Sequence, residues 1–142
     1  MRLEEVIRRK GSDVATITSD ATIADLLVVL RTRKIGAVVV SDDGTHVDGI
    51  ISERDVVMGL ADVGPELLTD SVGHRMTREI YSALPEDEIE EVARTMTDHR
   101  IRHVPIVVEG ELKAIVSIGD IVKYRIDQLT DERDQLLGYV QQ

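Results

Sequence analysis

The sequence predicts an α+β fold built from two copies of one unit, each running strand, helix, strand, strand, helix, with a further helix on the C-terminal side. Three observations predict it. The stretch Gly49-Ile50-Ile51-Ser52-Glu53-Arg54-Asp55 returns as Ala114-Ile115-Val116-Ser117-Ile118-Gly119-Asp120, 65 positions later. Around it, Ile23, Leu26, Leu27 and Leu30 recur as Ile89, Val92, Ala93 and Met96, and Ala37-Val38-Val39-Val40 as His103-Val104-Pro105-Ile106, both 66 positions on. A fixed internal period of this kind marks repeated structural units, and the drop from 66 to 65 places one extra residue in the first hairpin, near Thr45. Finally, the chain is 42% hydrophobic but only 2% aromatic, with three Tyr and neither Phe nor Trp. Val, Ile and Leu suit strands packed on helices. Halves of about 60 residues are marginal alone, so the two should share an aliphatic core.

The elements follow in order. Leu3, Val6 and Ile7 lie on one side of a short amphipathic segment that Gly11 can end. Residues 14–17 are briefly extended. Apolar positions 23, 26, 27 and 30 have the spacing of one helical face, opened by a Thr22/Asp25 capping box. Residues 35–40 and 47–51 read as a hairpin around an Asp- and Gly-rich turn, and a helix runs from Ser52 to about Ala61. Gly64-Pro65 within residues 62–66 marks a linker. The second unit opens at residues 72–76, with residues 80–83 as its first strand and Asp87/Glu90 as the capping pair of the next helix. Residues 104–108 and 112–116 form its hairpin; Pro105 belongs on an edge, or where a missing N–H costs nothing. The last helix carries Ile121, Val122, Ile126 and Leu129 and continues through Leu136, Leu137 and Val140. The predicted organisation is one unit over residues 8–62, a second over 73–128 and a helical tail over 129–142.

Charge and composition exclude several functions. The net charge of −10 argues against nucleic acid and against an anionic membrane surface, both of which need a basic face. Without cysteine there is no disulfide or thiol chemistry. No apolar run approaches 18 residues, and the opening Met1-Arg2-Leu3-Glu4-Glu5 has no apolar signal region, so no membrane partner and a cytoplasmic location are expected. His74, His99 and His103 invite a metal reading, but the helix should end near Arg100, which spoils a chelate four residues apart on one face; no metal site is expected. Ser117, His103 and Asp120 could be drawn as a hydrolytic triad, yet there is no Gly-x-Ser-x-Gly elbow. Nor is there a Walker loop or a Gly-x-Gly-x-x-Gly turn, and no enzymatic activity is expected.

An isolated Ser-x-x-Asp is explained by helix capping alone. Two copies, each following a buried aliphatic strand, together with Arg102-His103-Val104-Pro105-Ile106-Val107, resemble the cystathionine β-synthase (CBS) domain, and the tandem resembles the Bateman module, over roughly residues 8–128. The resemblance implies two units packed about a pseudo-twofold axis, with clefts for adenosine-containing ligands. Asp55 and Asp120 would accept hydrogen bonds from ribose hydroxyls, and Ser52 and Ser117 would contact phosphate or ribose. Arg102 and His103 would face the phosphate, whereas the first unit has Gly36 and Ala37 there. Thr16, Ile17, Ile80 and Ser82 would read adenine through backbone groups, and Val104 and Pro105 complete the implied lining. Elementary chemistry agrees: a helix N-terminus favours an anion, a carboxylate is acceptor-only and suits a diol, and Arg54 and Arg102 can neutralise phosphate in an acidic chain. The expected ligand is an adenine nucleotide, AMP first, with ATP, ADP or NAD as alternatives, bound more strongly in the second cleft. The expected function is a non-catalytic regulatory sensor, a homodimer passing its signal to an unidentified protein effector; the alternative is a structural dimerisation module with vestigial clefts.

Overall fold

A computed structural model describes residues 1–141. Helix α1 (Leu3–Lys10) buries Leu3 and Val6 and ends at Gly11, whose φ of 94° is a conformation L side chains rarely adopt. Strand β1 (Thr16–Ile17) leads through α2 (Ile23–Arg33) to β2 (Ala37–Val40) and back along β3 (Gly49–Ser52), giving a three-stranded sheet in sequence order. β1 runs parallel to β2, and β2 antiparallel to β3. The capping box at α2 forms as the spacing predicts: Asp25 N donates to Thr22 Oγ1 at 3.1 Å, and Thr22 N to Asp25 Oδ2 at 3.1 Å. Helix α3 (Glu53–Val63) follows directly from β3.

Residues 62–66, where Gly-Pro marks a linker, do not run extended. A 3₁₀ turn (Gly64–Thr69) takes over from α3, with Pro65 in its first positions, where a missing N–H is no loss. The turn folds back because Leu67 is fully buried over α3, against Gly59. Helix α4 (Val72–Arg75) then adds Val72 to the first unit's apolar cluster, with Met76 packed on it.

The second half repeats the plan with one loss. Helix α5 (Ile89–His99), the hairpin β4 (His103–Val108) and β5 (Glu111–Ser117), and α6 (Ile118–Val140) match the first unit. The strand expected over residues 80–83 shrinks to a single parallel bridge, Ala83 to Ile106, closed by Ala83 N to the Pro105 carbonyl at 3.0 Å and Val107 N to the Ala83 carbonyl at 3.1 Å. Tyr81 and Ser82 are exposed, and the Tyr81 ring stacks on His99 at 4.0 Å between ring centroids instead of entering the core. The chain turns at once, since Asp87 Oδ2 accepts from Leu84 N at 2.9 Å. That turn also takes the carboxylate expected to pair with Glu90, so α5 begins after Glu88 without a side-chain cap.

Sharing between the halves takes the form of exchanged segments. One cluster gathers Ile23, Leu26, Val38, Val40 and Ile51 with Leu67 and Val72 from beyond α3. The other gathers Ile89, Val92, Met96, Val104, Ile106 and Val116 with Leu3 and Val6 of α1. The N-terminal helix therefore closes the second unit, and a bridge from Ile50 to Thr77 ties the inter-unit segment to β3.

Candidate functional site

The two Ser-x-x-Asp turns join β3 to α3 and β5 to α6, and each is held from the side by the neighbouring strand. Ala37 stands opposite Ser52 and His103 opposite Ser117 in the strand registers. The first amide of each helix is already used: Glu53 N donates to the Gly36 carbonyl at 3.0 Å and Ile118 N to the Arg102 carbonyl at 2.8 Å. In the first turn Asp55 Oδ2 accepts from Ser52 N at 2.8 Å and from Ser52 Oγ at 3.2 Å, and Thr77 Oγ1 donates to Asp55 Oδ1 at 3.3 Å. In the second, Asp120 N donates to Ser117 Oγ at 3.1 Å and Ser117 N to Asp120 Oδ2 at 2.8 Å. Both motif acids thus close capping boxes.

The second turn has a partner that the first lacks. Lys10, at the end of α1, sets its ammonium 2.6 Å from Asp120 Oδ2 and 2.7 Å from the Ile115 carbonyl. Burial pushes the Asp120 carboxyl up, but hydrogen bonds from Lys10 and Ser117 outweigh it and hold the group below its ordinary 3.8. His103 is half-buried and meets the other unit: a Cβ on Gly36 would stand 3.5 Å from its Cε1 and 3.5 Å from Glu53 Oε1. Burial first, then Lys10, lowers the His103 imidazole below its ordinary 6.5, against the pull of Asp120 and Glu53. This imidazole favours the neutral form.

Beside it lies an open groove of about 290 Å³, lined by Arg54, Met96, Thr97, Arg100, Ile101, Arg102 and Ile118. Arg54 crosses from the first unit, its Nη1 donating to the Arg100 carbonyl at 3.1 Å. Among the described residues none of these three arginines forms an ion pair. Three uncompensated guanidinium groups on one groove are notable in a chain of net charge −10. Such a groove can accept an anion of several oxygens.

The residues singled out from sequence thus fall into groups. Arg102, His103, Ser117 and Asp120 come together, and Arg54 joins Arg102 across the pseudo-symmetric boundary. Ala37, Ser52 and Asp55 form the equivalent turn of the first unit. Thr16 is exposed and Ile17 buried on the outer strand β1. Ser82 and Val104 line a different hollow of about 130 Å³ with Ala83, Asp87, Glu91, Val92 and Thr95. Ile80 is half-buried nearby, and Pro105 is buried in β4. Among the described residues there is no group of three metal-ligating side chains: His74 bonds Asp70 and His99 stacks on Tyr81.

Three participants were missed. Lys10 carries no local signal, since 110 positions separate it from Asp120. Arg100 had one: it caps α5 with a left-handed φ of 55°, as Lys34 caps α2 with 54°, 66 positions earlier. Glu53 lies inside the motif, but its approach to His103 is set by how the units pack.

The sequence profile of the family described as CBS domain matches residues 3–62 and 71–127. The chain is 30% identical over 147 residues to the CBS domain-containing protein CBSX3, mitochondrial, of Arabidopsis thaliana, covering 98% of this chain and 71% of that one. The crystal structure of the CBS-domain containing protein ATU1752 from Agrobacterium tumefaciens superposes with a TM-score of 0.85 and 40% identity, covering 88% of this chain and 99% of that one. The same fold, at 22% identity and a TM-score of 0.78, occurs in the CBS domain pair of protein MJ0100, solved in complex with 5′-methylthioadenosine and S-adenosyl-L-methionine; 87% of this chain and 98% of that one are covered.

Proposed function

This chain belongs to the CBS-domain family, and from that premise we propose that it is a cytoplasmic, non-catalytic sensor of adenosine-containing ligands. The observation that carries the reading is the groove where Arg54, Arg100 and Arg102 open beside the second Ser-x-x-Asp turn. The ligand is an adenine nucleotide, AMP first and ATP, ADP or NAD as alternatives. Its phosphate lies against the arginines and its ribose hydroxyls reach Asp120, which as an ionised carboxylate only accepts. Arg54 from the first unit lets one ligand be sensed by both halves. The ligands in the MJ0100 complex also contain adenosine, so S-adenosylmethionine belongs among the candidates.

The output is a change in association or shape presented to a protein effector, with the sensor acting as a homodimer. A second reading, a dimerisation module with vestigial clefts, is favoured by one feature: Leu129, Leu136, Leu137 and Val140 on α6 are 48–79% exposed. A thermal-shift series with AMP, ADP, ATP, NAD and S-adenosylmethionine separates the two. A ligand at a hundred times its Kd adds about 2.7 kcal/mol of stability. Failure of all five to raise the melting temperature at millimolar concentration would overturn the sensor and leave the dimerisation module.

A further inference from the structure

We propose that Lys10 is a built-in competitor for the second cleft, a specificity-determining side chain that a nucleoside must displace from Asp120. The inference rests on the sensor reading above, in which Asp120 receives the ribose. Asp120 Oδ2 already has two donors, Ser117 N at 2.8 Å and the Lys10 ammonium at 2.6 Å. A vicinal diol that engages both carboxylate oxygens needs one of those positions, and the Ser117 amide is fixed in the backbone as part of the helix cap, whereas the Lys10 ammonium ends a flexible side chain. Lys10 is the partner that can move.

Its placement is structural. Leu3 and Val6 bury α1 in the second unit's cluster. Tyr124 donates to the Glu5 carboxylate, Arg9 lies 5.0 Å over the Tyr124 ring, and Arg9 Nη1 approaches Asp127 Oδ2 at 3.6 Å. These contacts strap α1 along the start of α6 and deliver Lys10 to the motif turn. The ammonium is anchored a second time by the Ile115 carbonyl. Asp55, the equivalent acid of the first unit, has only amide and hydroxyl partners, so the cation distinguishes the clefts.

Two consequences follow. An uncharged nucleoside meets the full opposition of Lys10, whereas a nucleotide offsets it through phosphate contacts at Arg54, Arg100 and Arg102. Occupancy of the second cleft also loosens one strap between α1 and α6, coupling the ligand to the helix that projects beyond the repeats.

Calorimetric titration of the full chain and of Lys10→Met with adenosine and with AMP tests this. Methionine keeps the apolar stem and removes the charge. The variant should bind adenosine about 2- to 5-fold more tightly, the scale of releasing one partly exposed ion pair. Lys10→Gln should show the same gain, which guards against an effect private to methionine, and Lys10→Met in an Asp120→Ala background should show none. Unchanged or weaker adenosine binding by both Lys10 variants, with the parent binding normally, overturns the competitor alone. A loss confined to AMP overturns it too, by making Lys10 a phosphate ligand. If neither the parent nor the variants bind either compound, the competitor falls, and the sensor reading falls with it only when ATP, ADP, NAD and S-adenosylmethionine also fail to bind.

Discussion

Replacing Asp120 with alanine, beside the same change at Asp55, measures how far the two motif turns have diverged. By spacing alone each acid is a carboxylate in the first turn of a helix, worth about 0.3–1 kcal/mol. On that basis the ligand-free protein should melt almost unchanged in either variant. The structure separates them. Asp55→Ala removes the acceptor for Ser52 N and a 3.3 Å contact from Thr77, a loss of about 1 kcal/mol on the scale of a helix cap. Asp120→Ala removes the equivalent acceptor and also strands the Lys10 ammonium, whose side chain is 33% exposed and whose remaining partner is the Ile115 carbonyl. An ion pair this exposed adds at most about 1 kcal/mol, so the total is about 2 kcal/mol. For a chain of this size each kcal/mol lowers the melting temperature by about 3 °C. We therefore expect Asp120→Ala to melt about 6 °C below the parent and about 3 °C below Asp55→Ala. The excess should vanish when both changes are made in a Lys10→Met background, as a double-mutant cycle requires of a pairwise contact. Chemical denaturation of the parent, the single variants and the doubles supplies the numbers. Equal destabilisation by the two alanines, or an excess that persists without Lys10, would refute the account of the second turn. In the sensor reading Asp120→Ala also weakens nucleotide binding about 10- to 150-fold, through loss of hydrogen bonds to a charged acceptor.

Two further outcomes are expected. The His103 imidazole lies below its ordinary 6.5 in the fold, so the unfolded chain takes up the proton first and stability falls as pH drops below 6.5. His46, raised by its hydrogen bond to Asp43, acts in the opposite sense: its contribution is present below 6.5 and fades as pH rises through its folded value. Comparing the parent with His103→Gln between pH 8 and 5 isolates the first effect. A stability gap between the two proteins that does not change with pH would remove it. Separately, light scattering at micromolar concentration should give a dimer mass, and removal of residues 130–142 should reduce it to a monomer. A monomeric parent would dispose of the homodimer, and a shortened chain that stays dimeric would clear the tail of responsibility.

Much of this protein is legible along the chain because its signals are local. The three capping boxes each depend on residues three apart, at Thr22, Ser52 and Ser117, and spacing alone finds them. The repeat is visible because both halves bury the same strand and helix faces, so Ile23 and Ile89, or Val38 and Val104, answer the same packing demand. Where local signals compete, spacing misleads. Asp87 could serve either α5 or the turn at Leu84, and the turn takes it. Gly64-Pro65 punctuates a connection, yet whether that connection extends or folds back depends on Leu67 finding the space above Gly59.

Local signals along the chain set the α+β class, the doubling, the two Ser-x-x-Asp turns and the aliphatic character of the cores. Tertiary structure decided which segments close which unit and which charges meet. It laid α1 over the second unit, because Leu3 and Val6 bury completely there, and so carried Lys10 to Asp120. It carried Arg54 over the boundary to Arg100 and Arg102, and His103 to Gly36 and Glu53. Hydrophobic periodicity records that a face will be buried but not against which partner, since burial is non-directional. Long charged side chains follow wherever that burial sets their stems: Arg102-His103 against Gly36-Ala37 is written in the sequence, whereas the contact of Lys10 with Asp120 exists only once the units have packed.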